Sequence, residues 1–367
     1  MTVQNISSQN FNSERWVYIG TYTEKLPHVN GNAEGIYHAK FNTNTGELRV
    51  LGVTVGISNP SFLTFHPTLP VLYAVSEATG ALGEVIAFNI DATTGTLSEI
   101  NRQSTHGNSP CHVAIDATGH FVFVANYSTG NVCMYNVQAN GGLNAASDVV
   151  QHRGSSVNAS RQEGPHAHSV TLDPQNQHVI AADLGLDRLM VYSWDANTNK
   201  LFNTGTGATP AGAGPRHIAF HPRSYVYAIN ELDSTVTAFR YHAATGELTP
   251  IETVSTVPAD FGGTSYCADI HIDATGKFLY GSNRGHDSIA IFAIDESNGQ
   301  LTVLGYESTQ GKFPRNFAID PSGKFLLAAN QNSSSIAVYN INAQTGLLTP
   351  TGQVLAVPTP VCVAFWR

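Results

Sequence analysis

The chain has 367 residues, with 18 Lys plus Arg against 27 Asp plus Glu and a formal net charge of −9, so a general binder of nucleic acid or of an anionic membrane surface is not expected. Hydrophobic residues reach 42% and charged residues only 12%, the opposite of the balance that keeps a chain disordered. The 33 glycines and 17 prolines favour strands and turns over helices, and no apolar run approaches the ~20 residues of a membrane span.

The opening stretch, MTVQNISSQNFNSER, has neither the basic start nor the apolar segment of a secretory signal, and residues 1–14 read as a polar tail. Cys111, Cys133, Cys267 and Cys362 are scattered and form no CxxC pair, as expected of buried free thiols in a reducing compartment. Both features lead to the expectation of a cytoplasmic protein.

From Arg15 onward two motifs alternate. A turn ending in leucine recurs seven times, as TGEL at Leu48, TGTL at Leu97, GGL at Leu143, TNKL at Leu201, TGEL at Leu248, NGQL at Leu301 and TGLL at Leu348, spaced 49, 46, 58, 47, 53 and 47 residues apart. Between these turns lies a strand, a turn of the type D-x-x-G, and a second strand with a small or polar end. Its copies are PSFLTFHPTLPVLYAVSE from Pro60, PCHVAIDATGHFVFVANY from Pro110, AHSVTLDPQNQHVIAADL from Ala167, PRHIAFHPRSYVYAINEL from Pro215, CADIHIDATGKFLYGSNR from Cys267 and PRNFAIDPSGKFLLAANQ from Pro314. A seventh copy is split. PVCVAFWR from Pro360 lacks a second strand, and RWVYIGTYT at Arg15–Thr23 supplies one. Repeats of about 50 residues with four short strands each predict a β-propeller blade. The split copy predicts an all-β, seven-bladed ring over residues 15–367, a single domain closed by pairing the N-terminal strand into the C-terminal blade. Three irregular stretches interrupt the pattern: EKLPHVNGNAE after Thr23, HRGSSVNASRQEG from His152 to Gly164, and STVPADFGGTSY before Cys267. Extra loops on a rigid scaffold are where binding sites are commonly built.

The repeat also separates scaffold from site. Counted from Pro60, Pro110, Ala167, Pro215, Cys267, Pro314 and Pro360, positions three and five are apolar in every copy, the dry face of a strand. Position six reads His66, Asp116, Asp173, His221, Asp273, Asp320 and Trp366, and its short polar side chains are read as partners of their own turns. Positions one and two, and the residue after the second strand, break the pattern. They gather His112, His166, His168, Arg216, His217, Glu231, Asp269, Arg284 and Arg315 at one mouth of the channel, with Glu77 also unexplained by the repeat. Three arginines there make an anion site within an acidic protein, and histidines beside a carboxylate suit proton transfer. The plain alternative is that these groups only satisfy one another across the channel. His166 and His168 with Asp183 or Asp269 could ligate a metal, but interleaved guanidinium groups repel a cation, and no metal is expected. HExxH, GxSxG and P-loop motifs are missing.

GPHAHSVTLDP, GPRHIAFHP…YAINEL, CADIHIDATGKFLYGSNRGHDSI and PRNFAIDPSGKFLLAANQ resemble the propeller-type 6-phosphogluconolactonase family, which shares its fold with fungal carboxy-cis,cis-muconate cyclase. The resemblance covers residues 15–367 and is weaker in the first two blades. It implies a soluble bacterial lactone hydrolase that needs no cofactor, with active-site positions at His168, Arg216, Glu231 and Arg284. His112, His166, His217, Asp269, Arg315 and Asp183 are expected to contribute to binding of a small anionic lactone. In this reading Arg216, with Arg284 or Arg315, holds the anionic group and polarises the carbonyl, neutral His168 acts as general base on water, and Glu231 orients a neighbour or relays a proton. An unphosphorylated aldonolactone hydrolase, a cycloisomerase acting on a carboxymuconate-like substrate, and a non-catalytic interaction scaffold stay open as alternatives.

Overall fold

Period-two alternation in each copy produces a meander of antiparallel strands, because only a pleated strand puts every second side chain on one dry face. The computed structural model describes residues 13–78 and 82–366, so almost all of the expected polar tail lies outside the described residues. It forms seven four-stranded sheets and one two-stranded hairpin, Lys25–Leu26 with Val29–Asn30. Blade 1 comprises Leu63–Phe65, Val71–Ser76, Glu84–Ile90 and Leu97–Ser104, and blades 2 to 6 follow over 110–151, 167–208, 215–255, 266–308 and 314–356. Blade 7 is composite: Pro360–Trp366 is innermost, followed by Glu14–Thr21, Gly35–Asn42 and Leu48–Val55. The closing pairs run antiparallel from Trp16 with Trp366 through Ile19 with Val363 to Thr21 with Pro360, so the ring shuts as the split copy predicts. No helix among the described residues is long and apolar enough to cross a membrane.

The core lies between blades. Val17, Ile19 and Phe41 of blade 7 pack on Phe325, Leu327 and Val338 of blade 6, and Tyr227 and Ile229 of blade 4 pack on Ile270, Leu279 and Phe292 of blade 5. Second strands such as Phe121–Asn126 and Phe325–Asn330 are buried along their whole length, while outermost strands such as Leu143–Gln151 face solvent with most residues.

Hydrogen bonds explain both repeated motifs. In the D-x-x-G turn, Asp116 accepts from the amides of His120 and Phe121 at 2.7 and 2.8 Å, and Asp173, Asp273 and Asp320 bond their own turns likewise. Where the residue is histidine, Nδ1 of His221 accepts the Arg223 amide and Nε2 donates to the Gly276 carbonyl of the next blade, at 2.9 and 2.8 Å. The leucine turn serves the neighbouring blade as well. Buried hydroxyls of Tyr18, Tyr73, Tyr227 and Tyr280 donate at 2.8–2.9 Å to the carbonyls of Gly95, Gly141, Gly299 and Gly346 in the turn of the next blade. Gly299 has φ 80°, and a Cβ there would lie 2.5 Å from the Tyr225 ring, so glycine is required twice over. Asn126, Asn283 and Asn330 close the other end of blades 2, 5 and 6, donating to the Thr105, Thr256 and Thr309 carbonyls at 2.9, 2.7 and 2.9 Å.

Each Tyr–Gly bond joins two blades. Tyr227→Phe and Tyr280→Phe are each expected to lower stability by about 1–2 kcal/mol, because each strands a buried carbonyl. The effects should add in the double variant, since the two bonds share no partner. Urea unfolding of the three variants against the parent measures this directly.

Candidate active site

The site is built from two structural columns. In every blade from 2 to 7 the innermost strand carries a β-bulge at its head. Pro110 pairs with Asn126 and His112 with Ala125, so Cys111 between them has no partner residue. The same skip leaves out His168 in blade 3, Arg216 in blade 4, Arg315 in blade 6 and Val361 in blade 7, and in blade 5 it falls between Cys267 and Ile270. A bulge re-aims the extra side chain away from the regular pleat. The second column follows each second strand. Amides of Tyr22, Glu77, Tyr127, Leu184, Glu231 and Gln331 donate to the carbonyls of Thr359, Asn59, Ser109, His166, Gly214 and Phe313, at 2.7–3.2 Å. These bonds bring the column-two residue beside the bulged residue. In five blades the accepting residue has a positive φ, at Asn59, Ser109, Gly214, Phe313 and Thr359.

The two columns enclose a cavity of about 420 Å³, lined by His168, Glu231, Arg284 and Arg315 together with His28, Glu77, Tyr127, Arg161 and Phe313. Glu231 is its hub. Its Oε2 lies 2.7 Å from Arg284 Nη2, 3.2 Å from Arg216 Nε and 3.9 Å from His168 Nε2, and its Oε1 accepts from Arg161 Nη2 at 2.6 Å. Arg161 also donates to the Tyr127 hydroxyl at 3.2 Å. On the other wall Arg315 donates to the Tyr22 hydroxyl at 3.0 Å, and Tyr22 donates to Glu77 at 2.9 Å. Phe313 holds φ 65°, uncommon for an aromatic residue, with the Arg284 guanidinium 5.2 Å from the centre of its ring.

Burial would raise the Glu231 carboxyl, but the Arg284, Arg216 and Arg161 guanidinium groups outweigh it and hold the group well below the usual carboxylate range. His168 moves the other way for a neutral base: burial first, then Arg216, push it well below 6.5, so its imidazole is uncharged. Burial and the Arg284 and Arg315 charges bring Arg216 down to about 10, still protonated at neutral pH. Burial keeps the Glu77 carboxyl above its ordinary value despite Arg315. The guanidinium groups of Arg161, Arg216, Arg284 and Arg315 outnumber the Glu231 and Glu77 carboxylates, and the cavity is electropositive within an acidic protein.

The predicted residues occupy different levels. Glu231, His168, Arg284 and Arg315 meet in the cavity, and Arg216 lies beneath it, bonded to the Ala268 carbonyl and His217 Nε2. His112, His217 and Asp269 line a separate cavity of about 570 Å³ deeper in the channel. His166 stands to the side, stacked on Tyr127 with ring centres 4.6 Å apart. Asp183 faces neither cavity: it accepts from His152 Nδ1 at 2.6 Å and the His166 amide at 2.8 Å, fastening the 152–164 insertion to blade 3. That insertion is what brings Arg161 to Glu231, and the EKLPHVNGNAE stretch brings His28. Both irregular stretches are visible in sequence, but neither residue could be singled out within them. Tyr22 and Tyr127 belong to the second column and carry no charge to mark them. Among the described residues no group of three or more His, Cys, Asp or Glu side chains is placed to hold a metal ion.

Removing the hub charge leaves buried cations facing each other. Glu231→Gln is expected to cost about 3–5 kcal/mol of stability. Circular dichroism melts and urea titrations of the purified variant test this, and pairing it with Arg216→Met should restore part of the loss.

Comparison with known proteins places the chain in a family. Residues 16–365 match the family model described as lactonase, 7-bladed beta-propeller. A 6-phosphogluconolactonase of Bacillus subtilis is 37% identical over 349 residues, covering 95% of this chain and 97% of the relative. A 6-phosphogluconolactonase of Formosa agariphila is 38% identical over 315 residues, covering 82% of this chain and 85% of the relative. Among solved structures, a periplasmic gluconolactonase of Pseudomonas aeruginosa superposes with a TM-score of 0.89 at 32% identity, covering 97% of this chain and 99% of the other. The chain belongs to the lactonase family of seven-bladed β-propellers.

Proposed function

We propose that the protein hydrolyses an anionic sugar lactone, with 6-phosphogluconolactone as the leading substrate, in the cavity around Glu231. The observation that carries this reading is the pairing of an uncharged buried histidine, His168, with the guanidinium groups of Arg161, Arg284 and Arg315 in the same cavity. Arg315 and Arg161, on opposite sides of the opening, hold the phosphate, and the sugar ring lies over His168 and Glu231. His168 Nε2 takes a proton from a water as the water oxygen bonds to the lactone carbonyl carbon. The carbonyl electron pair moves onto its oxygen, and Arg284 stabilises that charge. Collapse breaks the bond from the carbonyl carbon to the ring oxygen, which leaves with the proton returned by His168. Glu231 stays ionised throughout and holds Arg284, Arg216 and Arg161 in place. A phosphorylated sugar as substrate fits a cytoplasmic setting, and the four buried, unpaired cysteines are compatible with it. Hydrolysis of an unphosphorylated aldonolactone is the second reading, favoured by the structural likeness to the Pseudomonas protein.

Acid release in a pH-stat decides between them. Turnover of fresh 6-phosphoglucono-δ-lactone well above that of glucono-δ-lactone supports the phosphorylated substrate, and the reverse order selects the plain lactone. No turnover of either above spontaneous hydrolysis overturns the proposal. His168→Ala should lower kcat by about 10²–10⁴-fold. Arg284→Ala should lower it by about 10²–10³-fold. Arg315→Ala should raise KM for the phosphorylated lactone while leaving the plain lactone little affected.

The pH dependence has a definite sign. Protonation of His168 stops the reaction, and its folded-state value lies well below 6.5. The kcat profile should therefore stay level as pH falls through 6.5, with its acid limb at lower pH. An inflection at 6.5 that vanishes in His168→Ala would contradict the depressed value.

A further inference from the structure

Beneath the cavity, a line of hydrogen bonds links Arg216 to the channel. Asp269 collects five donors. Its Oδ1 accepts from His217 Nδ1 at 2.8 Å and the Ile270 amide at 3.0 Å, and its Oδ2 accepts from His271 Nε2 at 2.9 Å, Asn316 Nδ2 at 2.6 Å and the Phe317 amide at 3.3 Å. A carboxylate so surrounded is ionised, and the proton between it and His217 must sit on Nδ1. Nε2 of His217 is then a bare lone pair, and Arg216 Nη1 donates to it at 3.2 Å. The rings of His112 and His168 stand 5.3 and 5.7 Å from that of His217, and the Phe62 ring 5.8 Å away, leaving Arg216 and Asp269 as its polar partners.

A direct Asp269–Arg216 ion pair would set a second carboxylate against a guanidinium that already has Glu231 3.2 Å from its Nε. A neutral imidazole placed between them passes on the orientation without the second charge. Arg216 is thus held from below by an uncharged acceptor and from the cavity side by Glu231. We infer that His217, clamped in one tautomer by Asp269, is a positioning residue that orients Arg216 beneath the cavity without adding a second carboxylate to it. The inference rests on the reading of the cavity as a lactone-hydrolysing site, and it assigns a purpose to a cluster outside the cavity.

The test combines a resting-state measurement with kinetics. Nitrogen-15 NMR of the imidazoles, assigned by comparison with His217→Gln, should show His217 protonated at Nδ1 alone. Asp269→Asn can offer an N–H to Nδ1, which moves the ring proton to Nε2 and turns it against Arg216. This near-isosteric change should lower kcat by about a hundredfold, because a displaced Arg216 takes with it Glu231, 3.2 Å from its Nε, and so the groups Glu231 holds in the cavity. KM should change little, because Arg315 and Arg161 are untouched. His217→Leu should lose as much. His217→Gln should recover most of kcat, since one amide can donate to Asp269 and accept from Arg216. A protonated Nε2 in the resting protein overturns the inference, as does wild-type kcat in Asp269→Asn or a His217→Gln variant no better than His217→Leu. If the wild-type protein turns over neither lactone, the lactonase reading fails by itself, and the NMR tautomer still decides the clamp. Should Asp269→Asn or His217→Leu not fold, the His217→Gln kinetics and the tautomer decide it.

Discussion

An isolated four-stranded blade has two faces to cover and only its neighbours to cover them. Tyr227 and Ile229 need Leu279 and Phe292, Phe325 and Leu327 need Phe41 and Val17, and every interface between blades repeats this dependence. A row of such units has two bare ends, and a ring has none. Closure of blade 7 by Glu14–Thr21 against Pro360–Trp366 is therefore the contact on which the other six blades rest. Curvature follows from the same constraint: inner strands crowd together at the axis, outer strands spread apart, and at four junctions tyrosine-to-glycine bonds pin the wide end of one wedge to the next.

The crowded end is also where chemistry is possible. Regular pleating would send successive side chains alternately up the strand faces and into the blade interfaces. The bulge at the head of each inner strand withdraws one residue from that alternation and frees it to face the axis. In blades 2, 3, 4 and 6 the freed residues are Cys111, His168, Arg216 and Arg315. The fold thus offers such a position at the head of a bulged strand, at the cost of local ladder pairing there, while the rest of the strand stays paired. Glu231 then makes the set mutually tolerable, because a single well-ionised carboxylate lies against Arg161, Arg216 and Arg284.

Much of this was legible in the sequence because the protein contains its own comparison set. Seven copies show which positions are apolar everywhere, and Glu231, Arg284, His168 and Arg315 stand out against that background. Ring closure was legible for the same reason, since PVCVAFWR and RWVYIGTYT are complementary halves. The levels of the site were not. Arg216 and His217 are adjacent in sequence and read as one rim, yet the bulge puts one under the upper cavity and the other on the channel. Asp183 looked like a rim carboxylate because it ends a second strand, but its oxygens are taken up by His152 and the His166 amide. Arg161 and His28 come from irregular insertions, where no repeat exists to compare them with, and loop conformation depends on tertiary contacts that spacing does not encode.

Tyr22 and Arg315 meet at one wall of the cavity although 293 residues separate them. Tyr22 follows the strand Glu14–Thr21, and its backbone is anchored by Thr359, 337 residues further along. Until Pro360–Trp366 has been made, Glu14–Thr21 therefore keeps an unpaired edge. The cavity wall of Arg315 and Glu77, which Tyr22 ties together, cannot assemble before the ring shuts. Competence arrives with closure.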